Sequence, residues 1–293
     1  MQISKRLEAV AGMVTPGLTL ADVGTDHAYI PIYLIENQTV PHAVAMDIGR
    51  GPLARAQEHI GAHGLEAQIE TRLSDGLEAL TPGEVQSIVI AGMGGPLAVR
   101  ILTMGAAQAA ACREVILQPQ SELRLVRSYL GSAGYRIVQE ELVCEEGKFY
   151  PMMKCVPEAE QCGNEKPCQG PDCVPEGHAD GADVMAEPEH CGNGKPCRRP
   201  DCMPDVYADG TGAMAELGLR FGPLLLARRH PVLREYLLRE RRLNSQILEA
   251  LSGQEGERAA ARRAEVEQEQ AYVEQALALY EGEAWSEESD GAV

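Results

Sequence analysis

Leu20-Ala-Asp22-Val-Gly24-Thr-Asp26-His27-Ala-Tyr29 is the stretch that decides the fold of this chain. It joins the end of an aliphatic run, Leu18–Val23, to a segment of helical composition, the kind of junction at which open α/β sheets bind ligands. Gly24 permits a tight turn and the close approach of a ligand to the backbone. A dinucleotide-binding loop would repeat glycine at position 26, where a pyrophosphate rests against a helix N-terminus. Asp26 stands there instead, with Asp22 close by. Two like charges about 4 Å apart cost about 4 kcal/mol at an effective dielectric of about 20, roughly a thousandfold in affinity. The loop therefore disfavours a pyrophosphate, and an NAD-dependent oxidoreductase with it. It suits a ligand that carries ammonium and sulfonium groups and no phosphate, and S-adenosylmethionine has that chemistry.

Outward from this loop, aliphatic runs alternate with helical stretches up to about residue 156. Leu18–Val23, His42–Met46, Ala67–Arg72, Ser87–Ala91 and Glu114–Leu117 are predicted strands, and Pro52–His63 and Pro96–Leu102 predicted helices. Such alternation implies βαβ units and a parallel sheet covered on both faces. Tyr135–Val143 and Phe149–Val156 then read as an antiparallel pair at the sheet edge, turning at Gly147. Acids end the second and third strands. Asp47 lies near the distance from Gly24 at which a carboxylate accepts hydrogen bonds from ribose hydroxyls. Asp75, in Ser74-Asp75-Gly76, can reach an adenine amino group. Each acid alone is more often a helix cap or turn former. Three in order beside a Gly24 turn form a more specific set. After the fourth strand, Gly92-Met93-Gly94-Gly95-Pro96 would let two substrates approach the backbone, and Gln118-Pro119-Gln120 adds amides to the same edge.

The 293 residues suffice for one large domain or two modest ones, and a hydrophobic content of 44% excludes disorder throughout. Aromatics are only 4%, so the core must be aliphatic. The longest apolar stretch, Ile88–Val99, is too short and too interrupted for a bilayer, and no signal peptide is expected. The net charge of −18 argues at first against nucleic acid, but it is segregated. Val156–Gly218 carries −9 and Glu281–Val293 carries −5, whereas Leu219–Arg263 holds 10 arginines against 5 glutamates.

The acidic segment contains a repeat. Cys162-Gly-Asn-Glu-Lys-Pro-Cys168-Gln-Gly-Pro-Asp-Cys173 recurs as Cys191-Gly-Asn-Gly-Lys-Pro-Cys197-Arg-Arg-Pro-Asp-Cys202. Two copies with little aliphatic content cannot stack a core, so a disordered insertion is expected. The Cys-x5-Cys-x4-Cys spacing does not match familiar zinc knuckles, and no metal is expected. Of the 9 cysteines, Cys112 and Cys144 fall within globular-looking sequence, and the others run from Cys155 to Cys202. From Pro231, Leu233, Leu237, Leu243, Ile247 and Leu251 form one apolar stripe, and Val266, Gln270, Val273, Leu277 and Tyr280 a second. The prediction is a helical hairpin, a short antiparallel coiled coil with a cationic outer face.

Together these motifs resemble the bacterial tRNA (adenine-N1)-methyltransferases that modify adenine 22. The resemblance rests on Ser4-Lys-Arg6-Leu7, the Asp22 to Tyr29 loop, Asp47 to Pro52, Ser74-Asp75-Gly76-Leu77 and Ile90 to Gly95. It extends to Leu117-Gln118-Pro119, Glu141-Leu-Val, Glu146-Gly-Lys148-Phe-Tyr150 and Phe221-Gly-Pro223-Leu, and covers roughly residues 1–155 and 217–280. The cysteine repeat is the departure.

The resemblance implies a Rossmann-like class I methyltransferase sheet, mostly parallel with an antiparallel edge strand, followed by a C-terminal coiled-coil hairpin. The expected boundaries are 1–156 for the catalytic domain, 157–216 for the insertion, 217–281 for the helical domain and 282–293 for an acidic tail. S-Adenosylmethionine would be held by Asp22, Gly24, Asp47, Asp75, Gly76, Gly92, Met93 and Gly94. Asp26 would stand near the acceptor, with His27 or Tyr29 orienting the adenine. Arg228, Arg229, Arg234, Arg239, Arg241 and Arg242 would contact tRNA phosphates. A monomeric, soluble, cytoplasmic enzyme is expected, with tRNA as partner and neither DNA nor membrane. The alternative is a non-catalytic RNA- or partner-binding protein that retains the fold.

Overall fold

Every residue of Leu20–Val23 is buried, as in a strand covered on both faces, and this strand, β1, lies inside the sheet, next to its central strand. A computed structural model describes residues 1–158 and 212–281. Along the first of these, α1 (Lys5–Gly12) precedes β1, followed by α2 (Tyr29–Glu36), β2 (Ala43–Asp47), α3 (Arg50–His63) and β3 (Ile69–Leu73). Then come β4 (Ser87–Met93), α4 (Gly95–Met104), α5 (Ala106–Ala110), β5 (Glu114–Pro119), α6 (Leu123–Ser132), β6 (Tyr135–Glu145) and β7 (Lys148–Pro157). The second stretch holds α7 (Ala213–Phe221), α8 (Pro223–Ala227), α9 (Pro231–Leu251) and α10 (Glu257–Glu281).

The seven strands lie in the order β3-β2-β1-β4-β5-β7-β6. The first five are parallel, and β7 runs antiparallel between β5 and β6. Alternate residues serve opposite faces. Ala21, Val23, Ile88, Ile90, Val115 and Leu117 face a core closed by α4 and α6. Leu20, Val89 and Ile116 face a second core with α1, α2 and α3. Cys155, within the predicted strand Phe149–Val156, belongs to β7 and is fully buried. The pairs β1/β4 and β4/β5 bring the carboxyl ends of the parallel strands to one edge, so the loops after Val23, Asp47, Leu73, Met93 and Pro119 share it.

The arm is joined to the sheet by charge as well as by apolar packing. Arg127 of α6 and Glu140 of β6 form a buried pair at 2.9 Å, their side chains 1% and 0% exposed. Arg127 also donates to the carbonyls of Leu219 and Arg220 in the last turn of α7, and Glu140 accepts from the Leu224 N–H in the first turn of α8. One ion pair thus caps the end of one helix with a cation and the start of the next with an anion. Gly222, between them, has φ +96°, and a Cβ there would lie 2.8 Å from both Glu140 carboxylate oxygens.

The predicted hairpin is present. Tyr280 Oη donates to the His230 carbonyl, and Arg263 donates to the Leu251 carbonyl, so α9 and α10 run antiparallel. Its seam departs from the leucine spacing at one position. Leu233 and Leu237 are buried with Val266, Val273 and Leu277, but Leu243 is 39% exposed. Past Leu237, Ile247 and Leu251 are half-buried and Val266 of α10 stays buried, so the seam runs on with Leu243 turned away from it. The helical part begins at Ala213 rather than 217, and it belongs to one unit with residues 1–158. The repeat cysteines from Cys162 to Cys202, and the acidic tail from 282, lie outside the described residues.

Candidate active site

The turn after β1 departs from the simple strand-to-helix junction its sequence suggested. Helix α2 starts only at Tyr29, because His27 (φ +63°) and Ala28 (φ +54°) are both left-handed. Such backbone costs roughly 1–3 kcal/mol per residue without glycine, and it clusters at functional sites. Here it turns the His27 imidazole back over Tyr29, stacked at 5.3 Å and 23°, with His59 of α3 edge-on to both.

Beside this cluster lies a cleft of about 320 Å³ whose lining includes Asp22, Gly24, Asp26, Tyr29, Gly92 and Gln120. Asp22 is only 6% exposed. Burial is the main cause that pushes its pKa up to about 6; the nearby Thr25 hydroxyl opposes the shift and the Asp47 carboxylate adds to it. Thr25 Oγ1 is itself buried and completes no hydrogen bond among the described residues. Gly24 has φ +76°, and a Cβ there would meet the Met93 methyl at 1.9 Å, so Met93 rests on bare backbone. Gly92, at φ +79°, lies at an irregularity in the β4/β5 ladder, between Ala91 and Met93. Gly94 caps α4, and Gly95 packs so tightly that a Cβ would lie 2.4 Å from the Ser121 carbonyl.

The other predicted residues are placed less simply. Asp47 Oδ1 accepts the Gly49 N–H at 2.6 Å, the turn-forming role its residue type suggested. Asp75 is paired with Arg100 of α4 at 2.9 Å, and neither it nor Gly76, at φ +60° against Ile101, lines the cleft. The expected free anionic rim is corrected in one respect. Asp26 lines the cleft, but it is 59% exposed and bound by Arg55 at 2.9 Å, which offsets its charge. The negative group that burial holds in the cleft is Asp22. Sequence reasoning assigned no role to Arg6, Arg55, Thr25 or His59. They lie on α1, α3 and the loop itself; Arg6 and Thr25 fall within motifs quoted above, and no local pattern marks Arg55 or His59.

A second cavity, of about 350 Å³, opens between the β5–α6 turn and the arm, with Phe149 and Tyr236 on its wall. Gln120 lines both cavities.

Of the six arm arginines, three are engaged. Arg228 bonds to the Glu140 carbonyl and to Glu141 at 3.3 Å. Arg239 lies over the Phe149 ring at 5.2 Å and 3.6 Å from Glu240, and Arg241 lies 3.9 Å from Glu274. Arg229, Arg234 and Arg242 are exposed and have no acidic partner within 4 Å among the described residues.

A sheet in this order, with a glycine turn and a buried acid at the carboxyl edge of β1, has the Rossmann-like architecture of a methyltransferase domain. The sequence profile of the methyltransferase-domain family matches residues 3–153, and the chain belongs to that family. The tRNA (adenine(22)-N(1))-methyltransferase of Bacillus subtilis is 37% identical over 153 residues, which span 52% of this chain and 64% of that protein. A crystal structure of the Bacillus subtilis m1A22 tRNA methyltransferase superposes with a TM-score of 0.70 at 25% identity, covering 94% of this chain and 99% of that one. A Streptococcus pneumoniae protein provisionally assigned to the tRNA (m1A22) methyltransferases, solved with S-adenosyl-L-methionine, gives 0.68 at 28%, covering 94% and 100%. Among the described residues, no helix is long and apolar enough to cross a membrane.

Proposed function

We propose that this protein transfers a methyl group from S-adenosylmethionine to N1 of an adenine in tRNA, adenine 22 by its likeness to the relatives above. The observation that carries the reading is the buried Asp22 carboxylate beside the bare backbone of Gly24, in a cleft at the carboxyl edge of the sheet. The residues fit the donor. Asp22 meets its ammonium, Thr25 Oγ1 is an unused hydrogen-bonding group, and the backbones of Gly24 and Gly92 line the cleft, Gly24 with Met93 packed on its bare side. Asp47 keeps one carboxylate oxygen beyond its turn bond for ribose hydroxyls. Asp47, Met93 and Gly94 lie beside the cleft and not in its lining, so their part in holding the donor requires it to extend past the cleft along the strand ends. Asp75 and Gly76 stand outside the cleft, and an adenine-amino role for Asp75 requires that it share Arg100.

When bound, the donor supplies an electrophilic methyl on a sulfonium. Adenine N1 already holds a lone pair, so the protein needs no strong base; its tasks are in-line positioning and favourable electrostatics. Asp26 is the carboxylate placed for the positive charge that develops on the adenine, a role that requires it to share Arg55. Tyr29 and His27, already stacked, orient the ring. Gln120, shared by the two cavities, marks the side from which the acceptor enters.

Labelled S-adenosylmethionine and unmodified tRNA, followed by nucleoside analysis, test the reading. Label should appear in 1-methyladenosine and vanish when adenine 22 is replaced by guanine. Donor binding without transfer to any tRNA would instead favour a non-catalytic RNA- or partner-binding protein. The reading also carries a monomeric enzyme in the cytoplasm, with DNA not a substrate.

Arg229, Arg234 and Arg242 are free to meet phosphates, whereas Arg228 is committed to β6. Replacing the three by alanine should lower the slope of log affinity for tRNA against log salt by about 2 to 3. Arg228→Ala should leave that slope nearly unchanged and lower thermal stability. Filter binding across a potassium chloride series separates the two outcomes.

A further inference from the structure

We propose that the cavity between the β5–α6 turn and the arm takes the base of a nucleotide flanking the target adenine, stacked in the corner made by Phe149 and Tyr236. The inference rests on the methyl-transfer reading above and adds a second nucleobase to it. The rings of Phe149 on β7 and Tyr236 on α9 stand 5.4 Å apart at 68°, so a flat ring can stack on one and meet the edge of the other. The chain has only two phenylalanines, and both, Phe149 and Phe221, line this cavity. Arg239 lies over the Phe149 ring at 5.2 Å and holds it. The volume, about 350 Å³, is at the lower end for ligand pockets and leaves room for a single base.

The charges in the wall leave no place inside for a phosphate. Arg124 is paired with Glu216, Arg220 with Glu216 and Glu269, and Arg127 with Glu140. What remains is neutral hydrogen-bonding capacity. Tyr236 Oη and the Gln120 side-chain amide make no hydrogen bond among the described residues. Burial pushes the Tyr236 pKa up to about 12, so it stays a hydroxyl at neutral pH. Gln120 also connects the cavity to the Asp22 cleft, since its Nε2 would stand 3.7 Å from a Cβ on Gly92. Drawing an adenine out of its stack bares the faces of its neighbours, and an aromatic corner beside the acceptor cleft can cover one of them. The phosphates stay outside, where Arg234 and Arg242 of the same helix as Tyr236 are exposed.

The test uses the full chain and two tRNAs, one lacking the base before the target adenine and one lacking the base after it, with sugar and phosphate kept. One of these abasic tRNAs should lower wild-type kcat/KM about tenfold. Tyr236→Leu, which keeps apolar bulk without a flat ring, should lose about tenfold on intact tRNA and less than about twofold more on that abasic tRNA. Its affinity for S-adenosylmethionine, read by calorimetry, should be unchanged, and Tyr236→Phe should keep most of the activity. In the wild type, a photoreactive iodouracil at the sensitive position should cross-link to Phe149 or Tyr236, a result that needs no variant to fold. Full activity on both abasic tRNAs would overturn the proposal, as would cross-links to other residues only. An abasic loss as large in Tyr236→Leu as in the wild type would make the tyrosine merely structural, and overturn it too. A wild type that binds S-adenosylmethionine and methylates no tRNA would count against the methyl-transfer reading itself.

Discussion

Arg127→Met should lower the stability of the folded chain by about 3–5 kcal/mol, because it strands Glu140 as an unpaired charge in a dry interior. The loss has a structural address. Without the guanidinium, the Leu219 and Arg220 carbonyls lose their donor at the end of α7, and Glu140 keeps only the Leu224 N–H. The arm should therefore loosen from the sheet before the sheet melts, exposing Leu225 and Leu226. Urea unfolding followed by circular dichroism should show a lower midpoint. Hydrogen exchange should localise early opening to α7 and α8. The double variant Arg127→Met with Glu140→Leu should recover part of the loss, since no buried charge remains, but not the bonds to the three backbone groups. A single variant within about 0.5 kcal/mol of wild type would refute this account of the joint.

Asp22→Asn should act in opposite directions on donor binding and on stability. Removing the carboxylate deletes the partner of the donor ammonium and should weaken binding by about a hundredfold. The same change should stabilise the ligand-free protein at pH 7, because an ionised Asp22 is costly there. The carboxyl titrates at about 6 when folded, chiefly through burial, against about 3.9 in an unfolded chain. Its contribution to stability is thus fully present below about pH 4 and is lost as pH rises through 6. Donor binding needs the ionised form, so wild-type affinity should fall about tenfold per pH unit below 6. Calorimetry from pH 5 to 8 on both proteins checks the sign: the wild type should lose affinity on acidification, and the variant should be flat. A wild-type affinity independent of pH would remove Asp22 from the ammonium subsite.

Much of the sheet was legible because strands buried on both faces read as aliphatic runs. All five parallel strands fall within two residues of the expected starts, and Pro96 opens α4 as its position suggested. Local signals failed where tertiary contacts override them. Nothing in Asp26-His27-Ala28-Tyr29 announces two left-handed residues, since neither is glycine. Arg6 comes to the cleft from an element that precedes β1, and no spacing rule connects them. Arg127 did leave a trace: it shares the apolar face of Leu123, Val126 and Leu130 on α6, a position where a charge must find a buried partner. The site shows the same division. The identities of Asp22, Gly24 and Gly92 fixed which loops form it, but the neutralisation of Asp26 by Arg55 and of Asp75 by Arg100 depends on helices folding back over the sheet.

The joint at Gly222 bears on how such a chain can be reassembled from pieces. An arm transplanted from a relative would graft cleanly only if the glycine arrived opposite the matching arginine and glutamate. Any side chain at 222 would collide with the carboxylate it must face. Shuffled libraries crossing over between β7 and α7 take Arg127 and Glu140 from one parent and residue 222 from the other, so they should yield folded hybrids only where the second parent also carries glycine there.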